Sequence, residues 1–153
     1  MRANQQGFTL VELIVVIVIL GILAATALPR FVNLQNDARA SSMKGLAGSM
    51  RASVELIRGK WLVAGSTTAT TATLADGTTV DVSTTPAAAA GVPKGSATGI
   101  DRAAGISSTQ YTCTGGPGAL RTCTPLGGPA GCTVTYDDSN GAVSDTGATA
   151  ATC

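Results

Sequence analysis

The sequence predicts an α+β protein. A long, kinked N-terminal helix, membrane-spanning in its first half, packs against a small antiparallel β-sheet head stapled by disulfides near its C-terminus. Three observations carry this expectation. From Phe8 to Leu28 the chain runs for 21 residues with a single charge, Glu12. Beyond Pro29, Leu46, Met50, Val54, Ile57 and Trp61 recur at intervals of four, four, three and four residues, which is one face of a helix. Later, Asp76-Gly77 and Asn140-Gly141 stand between strand-like runs as hairpin turn signals.

At about 1.5 Å rise per residue the first run spans roughly 30 Å as a helix, the thickness of a bilayer's hydrocarbon core. It follows six polar or small residues, Met1 to Gln6, among which Arg2 is the one basic side chain. Thr9-Leu10-Val11-Glu12 reads as a capping box at the helix start. A carboxylate at the centre of a bilayer helix costs on the order of 2.5 to 3.5 kcal/mol, and less toward the end, so Glu12 also points to a partner. Ordinary secretory cleavage at Ala25-Thr26-Ala27 is the competing reading. It is disfavoured by the length of the run, by the early Glu and by the amphipathic pattern beyond Pro29.

Pro29 lacks the N–H that would bond Ala25, so a kink is expected there, with Gly21 as a second weak point. Asp37, Lys44, Arg51 and Arg58 recur every seven residues off the apolar stripe, with Glu55 in reach of Arg51 and Arg58. A single helix from residue 8 to about 60 would be roughly 80 Å long, half anchor and half spine.

Gly65 to Thr73 reads as a Ser/Thr/Ala loop and a minor candidate for surface glycosylation. Thr71–Ala75 and Thr78–Val82 flank Asp76-Gly77 as a two-residue hairpin with positive φ at both turn positions. Thr84 to Gly99 reads as loop, Ile100 to Ile106 as a short helix, and Ser107 to Cys113 as a strand. Cys113 to Cys132, with three Pro and six Gly, reads as loop. A hairpin centred on Asn140-Gly141 pairs Asp138 with Val143 and Tyr136 with Asp145, and sets Val134, Tyr136 and Val143 on one face. The expected domains are therefore residues 8–29, an apolar helix; 30–63, an amphipathic spine; and 64–153, a β-rich head, behind a short leader.

Lys and Arg total 10 against 9 Asp and Glu, but unevenly. Residues 30–60 carry six basic and two acidic side chains, and residues 61–153 three basic and six acidic. An acidic head argues against a nucleic-acid receptor. With no His, the usual triads and His-ligated metal sites are excluded. No nucleophile elbow or phosphate loop is present either, so neither an enzyme nor a cofactor is expected. Aromatic residues make up 3% of the chain, which disfavours an electron-conducting role. No metal site is expected. Cys113, Cys123, Cys132 and Cys153 read as two disulfides in an oxidising compartment, with three possible connectivities.

Gly7-Phe8-Thr9-Leu10-Val11-Glu12-Leu13 resembles the processing site of type IV pilins and of the pseudopilins of type II secretion. The resemblance implies a leader, residues 1–7, removed by a prepilin peptidase after Gly7, and N-methylation of Phe8. It further implies that Glu12 of an incoming subunit neutralises the Phe8 amine of a neighbour, and that the segment from Gly21 to Pro29 is flexible during assembly. Pilins often close a C-terminal loop by a disulfide, which favours Cys132–Cys153 and leaves Cys113–Cys123. The run from Pro29 to Arg39 (P-R-F-V-N-L-Q-N-D-A-R) is similar to mannose-sensitive haemagglutinin pilins, which typically read P-K/R-F-x-N-L-Q-x-D-A-R. The implied function is a homo-oligomeric helical filament for attachment. Its subunit would sit in the inner membrane as a single-pass protein and then be polymerised by an assembly platform into an extracellular pilus. The alternative is a type II secretion pseudopilin, a class that typically lacks the C-terminal cysteine pairs and often binds calcium in that region. Asp137, Asp138 and Asp145 would then be the candidate ligands, although they lack a clustered oxygen-ligand loop.

Overall fold

The computed structural model describes residues 7–65, 67–85 and 87–153. Met1 to Gln6, the polar part of the expected leader, lie outside the described residues. The chain divides into two compact units, Met1–Gln35 and Asn36–Cys153.

Helix α1 runs from Leu10 to Val63 and contains both Gly21 and Pro29. From Leu10 to Leu23 its large apolar side chains are exposed all round, from 47% at Ile14 and Val16 to 73% at Leu10. In the second unit the helix is one-sided. Leu46, Met50, Val54, Ile57 and Trp61 are all 6% exposed or less, and Ala40, Met43 and Ala47 extend the same stripe.

Two antiparallel sheets cover that stripe. Strands β1 (Thr71–Thr73) and β2 (Thr79–Asp81) pair Ala72 with Val80. They close with Val82 over Ile57 and Trp61, and the Trp61 Nε1–H donates to the Ala69 carbonyl at 2.8 Å. Strands β3 (Tyr111–Thr114), β4 (Arg121–Pro125), β5 (Val134–Asp137) and β6 (Ala142–Ser144) form the second sheet in sequence order. Cys123, Val134 and Tyr136 from this sheet join Met43, Met50 and Val54 in the larger core. Between the sheets lie a 3-10 turn (Ala87–Ala89), a bridge from Val82 to Pro93, and the short helix α2 (Ile100–Ala103).

Several sequence expectations are corrected in detail. In the first hairpin only Gly77 has positive φ, +84°, and the pairing of Thr73 with Thr79 leaves five residues between the strands. The Leu74 N–H bonds the Thr78 carbonyl at 2.7 Å, and Asp76 Oδ1 accepts the Thr78 N–H at 2.9 Å. This is a three-residue loop closed by a left-handed glycine, rather than a two-residue turn. In the second hairpin Tyr136 faces Val143 and Asp137 faces Ala142, two residues from the expected register. The Gly141 N–H reaches back to the Asp137 carbonyl at 2.8 Å, closing a four-residue loop. A slip of two keeps every side chain on its face, so Val134 and Tyr136 still point inward. Strand β4 interrupts the expected loop between Cys113 and Cys132, α2 ends at Ala103 rather than Ile106, and the expected strand begins only at Tyr111, after a turn at 108–110.

Candidate assembly site

Thr9 and Glu12 close the first turn of α1. The Glu12 N–H donates to Thr9 Oγ1 at 3.3 Å, while Glu12 Oε2 accepts the Thr9 N–H at 2.9 Å and the Thr9 hydroxyl at 2.7 Å. The reciprocal bonds satisfy two backbone donors that the helix itself cannot pair, and the acid complements the positive end of the helix dipole. No basic side chain lies between Phe8 and Leu28, so the carboxylate has hydrogen-bond donors but no counter-charge within this run.

Gly7 and Phe8 precede the helix, and Phe8 is 84% exposed. From Leu10 to Ala27 the mean hydropathy is 2.8, with none of that window buried inside the structure. The one hydroxyl in its later turns, Thr26, donates to the Leu23 carbonyl at 3.0 Å and so presents no free donor. A helix apolar on every side is stable in lipid or among other apolar helices. Gly21 lies in this stretch, with open space where a Cβ would sit.

In the head, Cys113 is joined to Cys123 and Cys132 to Cys153. The first link ties directly opposed residues of β3 and β4. The second encloses β5 and β6 and is buried at both ends.

The three candidate calcium ligands are not brought together. Asp137 Oδ1 accepts the Ser139 N–H, Asp138 is buried and accepts the Gly95 and Gly118 N–H groups, and Asp145 pairs with Arg51. The bonds to Ser139 and to Arg51 hold the Asp137 and Asp145 carboxyls below the ordinary range. Burial, helped by Asp138 and Asp137, pushes the Tyr136 hydroxyl well above its ordinary value. That hydroxyl donates to the Pro93 carbonyl.

Among the described residues, two long-range ion pairs lie outside the sequence expectations. Arg51 turns to Asp145 rather than to Glu55, and Arg121 on β4 pairs with Asp101 on α2. Helix spacing describes only partners on the same helix, and Arg121 lay in a segment whose Gly and Pro content masked the strand.

The chain thus combines an apolar helix that opens on Gly-Phe with an acid in its first turn and a disulfide-bonded antiparallel head. Residues 2–28 match the prokaryotic N-terminal methylation motif. The chain is 42% identical over 62 residues to the type IV major fimbrial protein FimA of Dichelobacter nodosus, covering 39% of this chain and 40% of that protein. It is 51% identical over 51 residues to the type IV narrow pilus major component PilA5 of Thermus thermophilus, covering 33% and 42%. It is 39% identical over 57 residues to the type II secretion system core protein G of Pseudomonas aeruginosa, covering 37% and 40%. The chain thus spans about two fifths of the length of the curated relatives it matches. No solved structure matches it.

Proposed function

We propose that this chain is the structural subunit of a type IV pilus. In this reading a prepilin peptidase cuts after Gly7 and methylates the new amine of Phe8. Residues 8–29 hold the subunit in the inner membrane, and the assembly platform moves it into a homopolymeric surface filament. The helix then exchanges lipid for copies of itself, with Gly21 and Pro29 letting it bend or loosen, and the head faces outward for attachment. The observation that carries the reading is the conjunction of Phe8 and Glu12 at the start of an apolar helix that this structure leaves uncovered.

Buried charges are tolerated when paired, and removing one partner costs on the order of 3–5 kcal/mol. Glu12→Ala is therefore expected to give a processed, membrane-inserted subunit at normal level that assembles poorly. Abundant normal filaments from this variant would refute the role given to Glu12. Mass and N-terminal analysis should find the mature chain starting at N-methylated Phe8, whereas a start at Leu28 would indicate secretory cleavage instead.

The similarity to a type II secretion core protein supports a second reading, a pseudopilin. Deleting the gene separates the two: loss of surface fibres supports the pilus subunit, and loss of secreted proteins with fibres intact supports the pseudopilin.

A further inference from the structure

The Cys113–Cys123 link has surroundings that filament assembly does not account for. Cys123 is fully buried on β4, whereas Cys113 is half-buried. Cys113 lines an open cleft of about 530 Å³ together with Asp101, Arg102, Tyr111 and Arg121. A carboxylate oxygen of Asp101 and the two Sγ atoms all lie within 4.8 Å of one another. Arg121 holds Asp101 in place through Nε at 3.2 Å and through Nη2, with both side chains nearly buried. Arg102, the other cation on the cleft, donates to the Thr79 carbonyl at 2.9 Å.

We propose that this cleft is a thiol-exchange site in which small external thiols attack Cys113 Sγ and Asp101 restrains the rate. The incoming thiolate forms a bond to Cys113 Sγ, and the Cys113–Cys123 bond breaks. The electron pair departs on Cys123 Sγ, which then takes a proton from solvent. A second thiolate attacks the mixed disulfide, frees Cys113 and leaves as the oxidised external disulfide, so the external thiol is the reductant. Accessibility fixes the direction of attack, because Cys113 is on the cleft and Cys123 is beneath it.

Negative charge is spread over attacking and leaving sulfurs during each exchange. A carboxylate this close opposes both, and Arg121 offsets only part of its field. Asp101→Asn removes the opposing charge and leaves the guanidinium to favour the thiolate. At this separation, in a partly screened setting, the variant should exchange about tenfold faster. Cys132 and Cys153 are 0% and 2% exposed and provide an internal reference.

The test uses the full chain in detergent, pulsed with thioglycolate or cysteamine, quenched by alkylation and mapped by mass spectrometry. In the unaltered chain the thiol adduct is expected on Cys113 with Cys123 alkylated, before Cys132–Cys153 opens. An adduct first on Cys123, or earlier opening of Cys132–Cys153, overturns the site, and this reading does not depend on how the variant folds. In Asp101→Asn, exchange at Cys113 should accelerate while Cys132–Cys153 does not, and anionic thioglycolate should gain on cationic cysteamine. An unchanged rate, an unchanged ratio between the two thiols, or equal acceleration of both disulfides overturns the role of Asp101.

Discussion

Arg51 donates through Nη2 both to Asp145 Oδ1, at 3.0 Å, and to the Val143 carbonyl, at 3.2 Å, so one guanidinium fastens the helical spine to the last strand. The pair is 48% and 34% exposed, which limits its worth. A double-mutant cycle of Arg51→Ala and Asp145→Ala should give a coupling of about 0.5 kcal/mol near neutral pH. Because Arg51 lowers the folded-state value of Asp145, the coupling is present above the ordinary carboxylate value and is lost as pH falls through the lowered one. Urea titrations at neutral and strongly acidic pH check both parts.

Tyr136→Phe strips the donor from the buried Pro93 carbonyl while keeping the ring in the core. A loss of about 1–3 kcal/mol is expected, seen as a lower urea midpoint with an unchanged slope. The Tyr136 value is raised in the fold, so its contribution is complete below the ordinary tyrosine value of about 10 and fades as pH rises through the raised one. An alkaline stability series on the parent and the Phe variant should show the difference narrowing.

Replacing Cys132 and Cys153 together by Ser opens a link between residues 21 apart. The expected loss is about 3 kcal/mol, mainly through a less restricted unfolded chain. Thermal unfolding of the variant against the parent, both unreduced, measures it.

Gly141 has φ +78°, and a Cβ there would meet Val54 Cγ1 at 3.0 Å and Val92 Cγ1 at 3.3 Å. Gly141→Ala combines a left-handed backbone with crowding against the spine. A loss of about 1–2 kcal/mol is expected from the backbone alone, and Val54→Ala in the same chain should relieve any further loss due to crowding. Denaturation of the two single variants and the double variant gives the answer.

Features governed by neighbours in sequence were legible before the fold was known. The apolar run, the stripe from Leu46 to Trp61 and the Thr9–Glu12 box depend on periodicity and short spacing. So did the positions of both hairpins, although not their loop lengths. Loop length depends on which residue takes the left-handed conformation, and in each hairpin only the glycine does so. Strand β4 was hidden because Arg121–Pro125 sits between Gly-rich turns, and its inward pattern at Arg121 and Cys123 acquires meaning only against β3 and β5. The partners of Arg51 and Arg121 lie 94 and 20 residues away, beyond any rule based on one helix.

The bonds between Thr9 and Glu12 alter what joining the proposed filament entails. In that proposal a subunit held in lipid would not carry a bare acid in search of a cation, because the Thr9 N–H and hydroxyl already bond the Glu12 carboxylate. Recruitment is then a swap of one set of donors for another, and its driving force is the margin between them. Under the same proposal Thr9, through its bonds to Glu12, would help set how readily a stored subunit commits. Thr9→Val, which keeps the shape and loses the hydroxyl, should lower that threshold.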